Sequence, residues 1–126
     1  MPWGRVLAFT DPFQCQSALQ SVAQAEILPT AKGRFHVEAT QIGMNKLRMQ
    51  RFSIALPQIN TVTIASDRRP IGFLSESSSS NLQHCGMEVT SNDIVVYGHD
   101  VLHQRSTSDS HIATMSLPTN DFACLL

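Results

Sequence analysis

Between residues 34 and 117 the apolar residues recur with a period of two or in short continuous runs, and no helical period interrupts them. A chain built this way has to close its strands on one another, because an open sheet face or edge has no helix to cover it. Phe35, Val37 and Ala39 alternate with His36, Glu38 and Thr40, which reads as a half-buried strand, and Gly43 and Asn45 mark the turn that follows. A second strand starts with Leu47 and Met49 on one face and continues with Phe52, Ile54 and Leu56. The slip at Gln50-Arg51 predicts a β-bulge. The β-branched run at 59–65, a turn at 67–70, a short strand at 71–74 and a polar loop at 75–81 come next. Cys85, Met87 and Val89 alternate, Ser91-Asn92-Asp93 turn, and 94–97 is an apolar run suited to a strand buried on both faces. Strands at 101–105 and 111–117, joined by a polar loop at 106–110, complete about seven or eight strands of a mainly β sandwich or barrel.

One helix precedes this set. Asp11 can cap, Pro12 suits the first helical position and Gln14 can reach back as in a capping box. Cys15, Leu19 and Val22 follow at i, i+4 and i+7 opposite Gln16, Gln20 and Gln24, so the helix is placed at about 12–26. At the other end, Leu117-Pro118-Thr119-Asn120 looks like a strand end and a capping residue, and predicts the start of a helix from about 119. The chain then stops on Cys124-Leu125-Leu126, as the front part of a longer protein would.

Size admits one domain, 1–126. Only 15% of residues are charged against the usual quarter, and a net charge of −1 leaves no basic stripe for phosphate backbones or anionic membranes. Binding of nucleic acid by this chain alone is therefore not expected. No stretch of 18 apolar residues and no signal-peptide core occur, so the expectation is a cytoplasmic protein without a membrane partner. Cys15, Cys85 and Cys124 are odd in number and widely spaced, which indicates neither a disulfide framework nor a zinc site.

Few motifs point to chemistry. His99 and His103, with His84-Cys85 upstream, invite a metal reading, yet on a strand residues four apart lie about 13 Å from each other, too far for one ion. No HxH pair, Gly-x-Ser-x-Gly elbow or phosphate loop is present, so no metal, no cofactor and no catalytic residue are expected. Arg68-Arg69 before Pro70 reads as a solvated turn.

The order of the whole chain carries more. The amphipathic helix, then GRFHVEATQIGMNKLRMQRFS, RRPIGFLSES, GMEVTSNDIVVYG and VLHQRSTSDSHIATMSLP, resembles the N-terminal effector-sensing and dimerisation domain of AraC-family transcriptional regulators over residues 11–123. The best matches are Gly33-x-Phe35, Ile94-Val95-Val96 after the Asn92-Asp93 turn, and His103-x-Arg105 to Ser116-Leu117-Pro118. The resemblance implies a cupin-like β-barrel or jelly roll over about 34–117, a small-molecule effector, a homodimer, and DNA contacted only through a C-terminal helix-turn-helix domain that this chain lacks. A cupin-type enzyme or small-molecule carrier, and a dimerisation module without ligand, are the competing readings. For the effector site the expectation is Arg51, aimed inward by the bulge, with His103 and Arg105, which share a strand face with Val101; such a group suits a carboxylate.

Overall fold

A computed structural model describes residues 2–19, 22–75, 82–98 and 101–121. Strand β1 (Trp3–Phe9) comes first, then helix α1 (Pro12–Ala18), β2 (Val22–Pro29), β3 (Val37–Met44), β4 (Leu47–Ile54) and β5 (Gln58–Ile64). The remaining strands are β6 (Arg68–Leu74), β7 (Leu82–His84), β8 (Met87–Val89), β9 (Val95–Val96), β10 (Val101–Ser106) and β11 (Ser110–Pro118). They form two antiparallel sheets, one ordered β1-β3-β4-β11-β6-β9 and the other β2-β5-β10-β7-β8. Packed face to face around a common core, these make the mainly β, jelly-roll type of sandwich that the alternation predicts.

Period-two burial is clearest in β3, where Val37, Ala39, Gln41 and Gly43 face inward and their neighbours outward. Asn45 closes the β3–β4 turn with φ of 54°, a conformation Asn tolerates. The cap at Asp11 forms as expected, its carboxylate accepting from the Phe13 N–H at 2.9 Å, with Pro12 opening the helix.

Three expectations change. The helix covers Pro12–Ala18, not 12–26: Leu19 turns extended at ψ of 133°, and Ser17 bonds back to the Phe13 and Gln14 carbonyls inside the last turn. Val22–Pro29 is instead a strand on β5, with Gln16 Oε1 accepting the Ile27 N–H at 2.8 Å. The spacing of Cys15, Leu19 and Val22 records shared burial across a helix and a strand. No bulge bends β4, which pairs residue for residue with β3; Leu47 and Met49 simply belong to the outer face, and Gln50, Phe52 and Ile54 to the inner. The irregular register lies in β2, between Val22 and Gln24. Finally, β1 pairs along β3 from Trp3 opposite Gly43 to Phe9 opposite Val37, an edge strand that its short apolar run did not announce.

Two further regions differ in detail. The run at 94–97 is an edge: only Val95 and Val96 pair, Ile94 is exposed and Tyr97 alone is buried. Arg68, read as part of a solvated turn, is 7% exposed and opens β6; its guanidinium donates to the Ser116 carbonyl at 2.7 Å and to the Lys46 carbonyl at 2.9 Å. Burial depresses its pKa, and neighbouring Arg48 adds to that effect. Helical backbone begins at 119, where Thr119 bonds to the Ser66 and Asp67 carbonyls and Asp121 meets Lys46 at 3.3 Å. The expected loop residues 76–81, His99, and the apolar end Phe122, Cys124, Leu125 and Leu126 lie outside the described residues.

Candidate functional site

The apolar core is in two parts. Phe9, Cys15, Ile27, Val37, Ile54, Leu82 and Ile112 belong to the larger, while Ile64, Tyr97 and Leu102 form the smaller. Between them lies a cavity that leaves about 90 Å³ open to the centre of a water molecule. Members of both clusters line it, and so do Gln50, Gln58, Asn60, Gln104 and Thr114.

Each polar group is there because a strand turns it inward. On β5 the inner face reads Gln58, Asn60, Val62, Ile64; on β10 it reads Leu102, Gln104, Ser106; on β11, Ile112 and Thr114; on β4, Gln50. Gln58 is 2% exposed and donates from Nε2 to Asn60 Oδ1 at 2.8 Å, whereas its Oε1 has no partner among the described residues. An orphaned buried acceptor is costly, and this one is closed off even from a water-sized group.

Gln104 is held from behind. His84 Nδ1 lies 2.8 Å from its Oε1, and since an amide oxygen only accepts, His84 is the donor. The Gln104 amide is thereby turned toward Tyr97, whose hydroxyl it hydrogen-bonds. Tyr97 lies across Gly72, where any Cβ would run into the phenol oxygen, and its ring centroid is 5.1 Å from that of His84. Burial pushes the Tyr97 hydroxyl up to about 12, partly offset by Gln104, and pushes the Cys15 thiol up to about 11. Both stay neutral at physiological pH.

Gln50 connects the wall to the N-terminal elements. Its Oε1 accepts from Gln41 Nε2 at 2.9 Å; Gln41 also donates to the Ala18 carbonyl that ends α1, and accepts from Arg5 Nε at 2.7 Å. Among the described residues the wall therefore holds amides, hydroxyls, a thiol and apolar side chains, and no charged side chain.

Arg51, His103 and Arg105 are elsewhere. Arg51 points away from the core on β4 of the first sheet, and His103 and Arg105 do so on β10 of the second; all three are exposed. With the β4 ladder regular, nothing aims Arg51 inward, and the inner face of β10 is the one carrying Gln104. His103 bonds instead to Thr61 Oγ1 at 3.2 Å on the outer surface. A carboxylate site of these three residues inside the barrel is thus not formed. Sequence reasoning missed Gln50, Gln58, Asn60, Gln104, Thr114 and Tyr97; the readable signal was amides standing in otherwise apolar inner positions. Among the described residues no three His, Cys, Asp or Glu side chains gather as a metal site would need.

No protein-family model matches the chain, and no curated protein matches it in sequence. Solved structures do match. The AraC-like transcriptional activator CuxR is similar over 98% of this chain and 51% of its own, at 13% identity and a TM-score of 0.65. KdgF from Halomonas sp. is similar over 78% of this chain and 90% of its own, at 12% identity and a TM-score of 0.51. An RmlC-like cupin from Shewanella frigidimarina follows, over 79% and 89% of the two chains, with 16% identity and a TM-score of 0.45. The likenesses to CuxR and KdgF are of fold, and they agree with the jelly-roll sandwich described above. This chain spans about half the length of the activator it matches.

Proposed function

We propose that the chain is the effector-sensing domain of an AraC-type transcriptional regulator, in which a small molecule held in the jelly-roll cavity biases DNA binding by another domain of a longer protein. The single observation that carries this is the cavity: it lies between the two parts of the core, and its wall carries oriented amides. A fold evolved only for stability gains nothing from polar groups there, because each costs burial without full compensation. On this reading the domain binds and does not catalyse, its described wall being made of amides, hydroxyls, a thiol and apolar groups, and the regulator works in the cytoplasm.

Homodimerisation belongs to the same reading. What supports it is the outer face of the first sheet, where Ile42, Met49, Met115, Ile71 and Val96 stand opposite one another in register across five strands. The outer face of the second sheet is mixed, with rows of Glu26, Thr61 and His103, of Gln24, Thr63 and Val101, and of Leu28, Ile59 and Arg105. Five strands of seven to nine residues, about 4.8 Å apart, present roughly 600 Å² in projection, the order of the ~800 Å² per partner of a standard interface. A second copy of this chain is the partner that face fits.

The effector reading is tested by a small-molecule screen against the chain by thermal shift, run in parallel on Val62→Phe, which adds a ring to the cavity. Ligands that stabilise the parent and not the filled variant support the reading. Ligands that stabilise both equally place binding elsewhere and contradict it.

A further inference from the structure

We infer that the outer face of the first sheet is an oxidant-sensitive contact: a hydroperoxide converts Met49 and Met115 to their sulfoxides, the two copies part, and reduction of the sulfoxides lets them rejoin. This deepens the homodimer reading and rests on it. The choice of side chains carries the first step. On the apolar face of a strand, β-branched and aromatic residues pack best, and the flanks of the central row follow that preference with Ile42, Ile71 and Val96. Its middle does not. There Met49 and Met115 stand directly opposite each other in the β4–β11 ladder, with Ile42 beside the first and Ile71 beside the second. One row on, Met44 is opposite Leu47 on the same face and 46% exposed. Three of the chain's five methionines therefore share one surface.

A thioether is the one apolar side chain of this row that a two-electron oxidant turns polar. Met49 and Met115 are half-buried by their own sheet and point away from the core, so a single copy leaves them open to a small oxidant. A sulfur lone pair attacks the terminal oxygen of the peroxide, and the S–O bond forms as the O–O bond breaks. Sulfur is oxidised by two electrons and the peroxide is reduced. The proton on the transferred oxygen passes to the departing one, which leaves as an alcohol, or as water from hydrogen peroxide.

Burial gives this step its effect. A sulfoxide oxygen is a hydrogen-bond acceptor, and the row of Ile42, Met49, Met115, Ile71 and Val96 contains no side-chain donor. Between two copies the oxygen loses its water without replacement, whereas on a single copy it stays hydrated. Oxidation thus weakens the dimer and spares the fold. The other described sulfurs are placed differently: Cys85 and Met87 are exposed in the β7–β8 hairpin of the second sheet, and Cys15 is buried in the core.

The test uses the whole chain carrying Cys85→Ser and Cys124→Ser, so that no disulfide joins the copies. It is treated with hydrogen peroxide at a dilution where the single copy is populated, then quenched with catalase. Light scattering over a concentration series gives the dimer dissociation constant, circular dichroism the fold, and peptide mass spectrometry the oxidised sites. The expected result is one oxygen gained at Met49 and at Met115, a dissociation constant raised at least about tenfold, and an unchanged spectrum. Methionine sulfoxide reductases with dithiothreitol should restore the dimer. In Met49→Leu with Met115→Leu, close in volume to the parent, the same treatment should change the dissociation constant by less than about twofold. Met49→Ile with Met115→Ile serves in its place if that pair does not melt cooperatively. A chain that stays dimeric with both sulfoxides formed overturns the switch and leaves the homodimer reading standing, and so does undiminished dissociation of the oxidised Leu pair. Met49 and Met115 left as thioethers while Met87 is fully converted also overturn it. An untreated chain that is monomeric at high concentration overturns the homodimer reading and the switch together.

Discussion

Gln41 and Gln50 stand directly opposite each other in the β3–β4 ladder and are joined amide to amide, Nε2 to Oε1, at 2.9 Å. Through this pair the inner face of the first sheet is tied to Arg5 on β1 and to the end of α1. Replacing Gln41 by Leu removes three hydrogen bonds at a site 1% exposed, those with Arg5, the Ala18 carbonyl and Gln50. The expected cost is about 2–4 kcal/mol. Urea denaturation checks it, with exposed Gln24→Ala as a control expected within about 0.5 kcal/mol of the parent.

Gly72→Ala places a methyl group where the Tyr97 oxygen lies. Relief requires the phenol to move away from Gln104, so the expected loss is about 1–3 kcal/mol, as for overpacking elsewhere. Tyr97 is the only tyrosine, so its absorbance titration reports the displacement directly. Losing the Gln104 hydrogen bond removes the one influence that lowers this phenol, so in the variant it should titrate no lower than in the parent.

How far the sequence announced all this depends on which partner decides. The alternation at Phe35, Val37 and Ala39, the Asp11-Pro12 cap and the turn at Asn45 are local, and each forms as read. Strand β2 is not local: Val22, Ala25 and Ile27 carry a pattern compatible with either element, and pairing with β5 settles it. The site was illegible for a related reason. A search for ligand contacts weighted toward charge selects Arg51, His103 and Arg105, whereas the polar side chains of this wall are amides and hydroxyls, and whether His103 or Gln104 faces inward is fixed by how β10 docks between β5 and β7.

Alkaline pH should destabilise the fold from about 9 upward. Burial raises the Cys15 thiol from 9.0 to about 11 and the Tyr97 hydroxyl from 10.0 to about 12. The unfolded chain therefore releases these protons first, so stability is fully present below the ordinary values and is lost as pH rises through the folded ones. Each group accounts for roughly 2–3 kcal/mol across its window. Denaturation midpoints at pH 8 and pH 11 should differ markedly in the parent, and by clearly less in Tyr97→Phe.

Charge placed on the outer row of the first sheet should separate the copies. Met115→Glu sits in the middle strand pair of that row, half-buried by neighbours on its own sheet but with no residue of the core above it. The expected outcome is a dimer in the parent and a monomer in the variant by light scattering, at unchanged circular dichroism. A parent that is monomeric at high concentration contradicts the dimer.

The claim on which the account turns is that the space between the sheets is a binding site, and side-chain amides report on it atom by atom. Titration of a ligand that stabilises the parent and not Val62→Phe in the thermal-shift screen into 15N-labelled chain should shift the side-chain NH2 signals of Gln58, Asn60 and Gln104 saturably, and leave the backbone amides of Arg51, His103 and Arg105 in place. Saturable shifts confined to those three outer positions, with the cavity amides unmoved, would contradict it.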